Sequence, residues 1–201
     1  MEFDWSVELG PDDPALEFPW SSPDGAQRYV DLLHRPDALA EISEALQFPE
    51  LGECLRRLNL ETSPWLTAKC DAWPDHDLGE AEALFDATVK FCSYVDLVAR
   101  DPDARSSFDW HESWARAAAR HLDSDTEQPI AGELIVRRCW YRPQAGSPPN
   151  LGNPTVSEEE PVAGFYVTLY LFGYGRDQSE ANANWADGLR RVTGMIAGLP
   201  A

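Results

Sequence analysis

The sequence predicts an α+β fold: a mostly antiparallel sheet of four to five strands with helices packed on one face. Three features predict it, namely short stretches of period-two hydrophobicity, their occurrence in neighbouring pairs, and amphipathic helical stretches gathered between the pairs. At 201 residues and 22.5 kDa, without a dividing linker, the chain reads as one domain over 1–201. Hydrophobic residues at 43% and eight Trp exclude an intrinsically disordered chain.

The first stretch, FDWSVEL over 3–9, alternates Phe3, Trp5, Val7 and Leu9 with polar residues and predicts a half-buried strand. Pro11, Pro14, Pro19 and Pro23 follow in an extended, turn-rich segment with Trp20 as its anchor. Residues 25–33 read as a short helix closed before Pro36. Pro36 suits the first turn of a second helix, with Leu39, Ile42 and Leu46 on one face. Pro49 does the same for a third, where Leu51, Cys54, Leu55 and Leu58 recur at helical spacing.

Period two returns after Pro64. Over 65–73, Leu66, Ala68, Cys70 and Ala72 oppose Trp65, Thr67, Lys69, Asp71 and Trp73. Over 87–98, Val89, Phe91, Val95 and Leu97 oppose Thr88, Lys90, Cys92, Tyr94 and Asp96. The two predict adjacent antiparallel strands. A helix over 109–122 follows, with Asp109 and Glu112 as its capping box and Trp110, Trp114, Ala117, Ala118, His121 and Leu122 as its apolar stripe. Strands are predicted over 130–142 and 164–174, separated by a flexible loop at 143–163 rich in Pro, Gly, Asn and acids. Ser179 is the predicted cap of a last helix carrying Trp185, Leu189, Val192 and Ile196.

The net charge is -19, and through Glu61 fourteen acids face four Arg, so the N-terminal third alone carries -10. This balance disfavours nucleic acid and anionic membranes as partners and attracts a basic protein. No apolar run is long enough to span a bilayer and no basic leader opens the chain, which predicts a cytoplasmic protein. Four separated cysteines without a CxxC pair predict reduced, buried thiols.

Chemistry-bearing patterns are sparse. Asp71, Asp75, His76 and Asp77 in CDAWPDHD offer metal-type ligands, but their order is not that of a calcium loop and a solvated acidic turn is preferred. His111 reads as a surface residue at a helix start, His121 as a core histidine, and His34 as a helix-end histidine. No G-x-S-x-G elbow occurs. GYGRDQS lacks the third glycine of a phosphate loop and places Asp177 and Glu180 where an anion would sit. No cofactor, metal or catalytic residue is assigned.

The most informative stretch is GFYVTLYLFGYG. If Phe165, Val167, Leu169 and Leu171 face helices, Tyr166, Tyr170 and Tyr174 share the other face with Lys69, Lys90, Tyr94 and Asp96. Arg138 and Trp140, or in the opposite phase Arg137 and Tyr141, would join them; the candidate binding set takes Arg138 and Trp140. Such phenols, cations and indole suit a binding surface, although an open sheet face needs similar cross-strand pairs merely to be stable in water. The expected function is a non-enzymatic protein-binding module, in one form an immunity-type inhibitor of a basic protein. The alternative is a small enzyme or small-molecule binder with a polar-aromatic pocket on that face.

Overall fold

Six strands join in one mixed sheet in a computed structural model that describes residues 1–79, 84–123, 128–142 and 160–198. The strands are β1 (Glu2–Glu8), β2 (Ala15–Phe18), β3 (Trp65–Asp75), β4 (Val89–Ala99), β5 (Ile130–Tyr141) and β6 (Val162–Gly175). The helices are α1 (Ser43–Gln47), α2 (Pro49–Leu58), α3 (Pro102–Ser106), α4 (Phe108–Leu122) and α5 (Gln178–Ile196), with a 3₁₀ helix at Pro36–Glu41 before α1. The α+β class and the largely antiparallel pairing are therefore present. Among the described residues the sheet has six strands, against the expected four to five.

The order across the sheet is β1-β5-β6-β4-β3, and β2 continues along the same edge of β5 as β1. β3, β4, β6 and β5 pair antiparallel, whereas β1 and β2 both run parallel to β5. Alternation alone predicts a strand but not its direction, so the parallel edge was not legible. β2 has only four residues between prolines and gave no strand signal.

β6 lies between β4 and β5, and its period of two sorts the molecule into two sides. Val167, Leu169 and Leu171 join Leu134, Val136, Phe91, Val95 and Leu97 in the main core, under α2, α4 and α5. Trp185 of α5 is fully buried there, tilted against Phe91 with ring centroids 4.7 Å apart, and its indole N–H donates to Ser93 at 2.8 Å. The opposite side is not bare. Leu16, Phe18, Leu66, Ala68, Val98, Cys139, Tyr141 and Tyr166 form a second, smaller core covered by Trp20, Tyr29 and Leu33. The helices thus gather mainly on one face, while the N-terminal segment closes one end of the other.

Several local expectations change. Residues 25–33 are turns and extended chain held by a bridge between Ser21 and Arg28, not a helix. The cap of α4 is Ser107, whose hydroxyl accepts from the Trp110 N–H at 3.2 Å, so the helix starts ahead of the expected Asp109–Glu112 box. Asp177, not Ser179, caps α5 by accepting from the Glu180 N–H at 2.9 Å. In both cases an earlier acceptor satisfies the first free N–H groups. The loop expected at 143–163 lies outside the described residues through 159, and Val162 and Ala163 already belong to β6.

Among the described residues no helix is long and apolar enough to cross a membrane. The four cysteines are free thiols, and Cys54, Cys92 and Cys139 are buried.

The approach of α5 to β6 is set by glycine. A Cβ at Gly173 would lie 2.1 Å from the Trp185 backbone N and 2.4 Å from the Ala181 carbonyl oxygen. Both obstacles are backbone and cannot rotate away. Gly173→Ala is expected to destabilise the fold by about 3 kcal/mol or more through overpacking, read as a lower urea midpoint. An unchanged midpoint would contradict this packing.

Candidate functional site

The second face of the sheet is built from one register. Opposite Tyr170 of β6 stand Tyr94 of β4 and Glu133 of β5, and opposite Thr168 stands Asp96. Beyond them, Asp71 pairs with Tyr94, Asp75 with Lys90, Asp4 with Glu133 and Glu8 with Arg137. Directly opposed residues share a face, so these side chains all project away from α2, α4 and α5.

A polar chain crosses the centre. Arg137 donates to Glu8 through Nε at 2.8 Å and pairs with it through Nη2 at 2.7 Å. Its Nη1 donates to Thr168 Oγ1 at 3.1 Å, and Thr168 in turn donates to Asp96 Oδ1 at 2.7 Å. Thr168 is fully buried, and Asp96 and Arg137 are 5% and 8% exposed. Burial pushes the Asp96 carboxyl up to about 6, with the Thr168 hydroxyl and the charges of Lys69 and Arg137 opposing the rise.

Beside this chain runs a half-exposed aromatic row. Trp73 meets Tyr94 edge-on with centroids 6.4 Å apart, Tyr94 lies 5.9 Å from Tyr170, and Tyr170 stacks near-parallel on Phe172 at 6.2 Å. Arg137 lies 5.6 Å over the Tyr170 ring and Lys90 lies 5.7 Å over Phe172. Lys90 also pairs with Asp75 at 3.4 Å. Each cation of this face therefore has a carboxylate, while Asp4, Asp71 and Glu133 have no ion pair among the described residues.

The expected set is brought together in part. Lys90, Tyr94, Asp96 and Tyr170 share the face as expected. Tyr166 is on the same face but only 3% exposed beneath the N-terminal segment, and Tyr174 is buried against Phe85 at 5.4 Å. Arg138 and Trp140 point the other way: Arg138 stands opposite Phe165, which packs on the main core, and donates to the Leu9 carbonyl oxygen. Arg137 and Tyr141 hold the second face instead. A one-residue choice of phase reverses every side chain in a strand.

Lys69 is displaced for a related reason. The register of β3 breaks between Thr67 and Cys70. Leu66 and Ala68 consequently enter the second core, whereas Cys70 and Ala72 pack on the main one. No single alternation describes such a strand. Lys69 lies at the break, with Nζ 4.9 Å over the Trp20 ring at the margin of the face. Trp73, Phe172 and Arg137 were not in the expected set; alternation in phase with Asp71 and with Tyr170 was the signal that could have placed Trp73 and Phe172, whereas Arg137 is placed only by its pairing with Tyr166.

The histidine roles exchange. His111 is fully buried, and its Nδ1 donates to the Ser107 carbonyl oxygen at 2.9 Å; burial depresses its pKa to about 4, so it is neutral. His121 is exposed. The α4 stripe is turned so that Trp114, Ala115, Ala118 and Leu122 face inward. Among the described residues no three of His, Cys, Asp and Glu gather into a metal-binding group, and His76 and Asp77 lie exposed beyond the end of β3.

No family model matches this chain, and neither a curated protein nor a solved structure is significantly similar to it.

The raised Asp96 pKa has a defined sign. Between its unfolded value, about 4, and its folded value, the native state holds a proton that the unfolded chain has lost. The contribution of Asp96 to stability is therefore present below pH 4 and lost as pH rises through 6. Asp96→Asn retains an acceptor for Thr168 and removes the titration. Relative to wild type it should gain on the order of 2–3 kcal/mol between pH 4 and pH 7, read by urea unfolding at both values. A pH-independent difference would contradict a buried, titrating Asp96.

Proposed function

We propose that the chain is a non-enzymatic binding module that docks a basic partner protein on the second face of its sheet. The observation that carries this reading is the half-exposed row of Trp73, Tyr94, Tyr170 and Phe172 flanked by Asp4, Asp71 and Glu133, which have no ion pair among the described residues. Aromatic side chains with few rotamers anchor protein interfaces at low entropic cost. Glu8 and Asp75 neutralise Arg137 and Lys90, so the surplus at the borders, from Asp4, Asp71 and Glu133, is negative. That surplus adds to a net charge of -19 and would steer a cationic partner onto the row.

The chain from Glu8 through Arg137 and Thr168 to Asp96 runs beside this row on the same face. In the proposed role it holds the strands and the Tyr170 ring in position, so that little ordering accompanies docking. An immunity-type inhibitor of a basic toxin is one concrete form of such a module.

Affinity capture from a native lysate with stepwise salt elution tests the reading. A stoichiometric basic protein released by salt is expected. Trp73→Ala combined with Tyr94→Ala should abolish its capture while shifting the melting temperature by only a few degrees, and Asp71→Lys should weaken capture most at low salt. Undiminished capture by the double variant would overturn the assignment of this face.

A further inference from the structure

A cavity of about 300 Å³ opens beside the break in β3, between that edge strand and the segment running from Trp20 to Glu44. This is the lower end of the range occupied by small-molecule sites. Its apolar wall includes Trp20, Val30, Ile42 and Leu55. Its charged groups differ in their partners. Glu41 is engaged by Arg35. Arg28 and Lys69 have no carboxylate within ion-pairing distance among the described residues. Glu44 has no ion pair among the described residues and accepts from the Ser43 hydroxyl at 3.0 Å.

We propose that this cavity binds a small zwitterion of the α-amino-acid type, with its carboxylate at Arg28 and Lys69, its ammonium at Glu44 and its apolar side chain against Trp20, Ile42 and Leu55. Two cations and one carboxylate without ion-pair partners among the described residues, lining one cavity with an apolar wall, complement a ligand with both charges and a hydrophobic body. The indole is already fixed: Trp20 Nε1 donates to the Ala68 carbonyl oxygen at 2.7 Å, while Lys69 Nζ lies 4.9 Å over the same ring. Lys69 is thereby held at the cavity wall with donors available to an anion. The break in the strand places Lys69 there, since an unbroken β3 would continue its alternation. This site is separate from the aromatic row and does not depend on the docking of a protein.

Titration calorimetry with L-leucine, L-methionine and L-phenylalanine tests the proposal, alongside ¹⁵N-resolved NMR of the Trp20 indole N–H. At least one of the three should bind saturably and move that resonance. Its amide, lacking the carboxylate, and its N-acetyl form, lacking the ammonium, should each bind about tenfold more weakly or worse. Arg28→Gln and Lys69→Gln should abolish the preference for the acid over the amide, and Glu44→Gln the preference for the free amine. Arg28 is exposed, so its replacement leaves the fold intact even if Lys69→Gln does not. Absence of binding by all three amino acids at 10 millimolar, on the order of the weakest relevant affinity, would overturn the proposal. So would equal binding of the amide and N-acetyl forms.

Discussion

The contact between α5 and β6 at Gly173 fixes the phase of the central strand, and through it both faces of the sheet. Because the Trp185 backbone occupies the space where a side chain would stand, Gly173 belongs to the helix-bearing side. Leu171, Leu169 and Val167 must then follow it into the main core. Phe172, Tyr170, Thr168 and Tyr166 have no alternative to the other side. The antiparallel registers with β4 and β5 pass this choice to Tyr94 and Asp96 on one flank and to Glu133 and Arg137 on the other.

The second face is divided by what covers it. At one end, Trp20, Tyr29 and Leu33 exclude water from Tyr166 and Val98 and create an apolar environment on a sheet face that would otherwise be wet. That cover buries Asp96, Thr168 and Arg137 at its border, where charge without partners would be costly. The hydrogen-bonded chain to the half-exposed Glu8 resolves the conflict by connecting the buried carboxylate to solvent through a threonine and a guanidinium. The other end lacks such cover from the N-terminal segment, and its aromatic rings remain partly open.

The fold class and most elements were legible because they rest on periodicity over ten or more residues, as in β4, β6, α2, α4 and α5. The site was less legible because it depends on phase. Arg137 and Arg138 are chemically identical neighbours, and only the pairing of Arg137 with Tyr166 decides which one serves the second face. The break in β3 shifts phase within one strand, so Leu66 and Ala72 cannot both be assigned by a single alternation. His111 and His121 exchanged places because the cap at Ser107 and the tertiary packing of α4 set the buried stripe. The N-terminal segment was the hardest to read, since its four-residue strand and its turns owe their form to β5 and to the second core.

Charge distribution links the local irregularities to the two proposed sites. In a chain with 35 acids and 16 basic residues, the way each cation is held shapes the surface around it. Arg137 and Lys90 are paired across strands, which leaves the aromatic face with a negative border suited to a large cationic surface. Lys69 escapes that arrangement because the strand break moves it to the edge and Trp20 holds it over an indole. The same segment that seals the second core therefore separates a broad acidic-aromatic surface from a small cavity of mixed charge. Replacing Trp20 would disturb both the cover over Tyr166 and the position of Lys69, whereas Trp73 and Tyr94 bear on the surface alone.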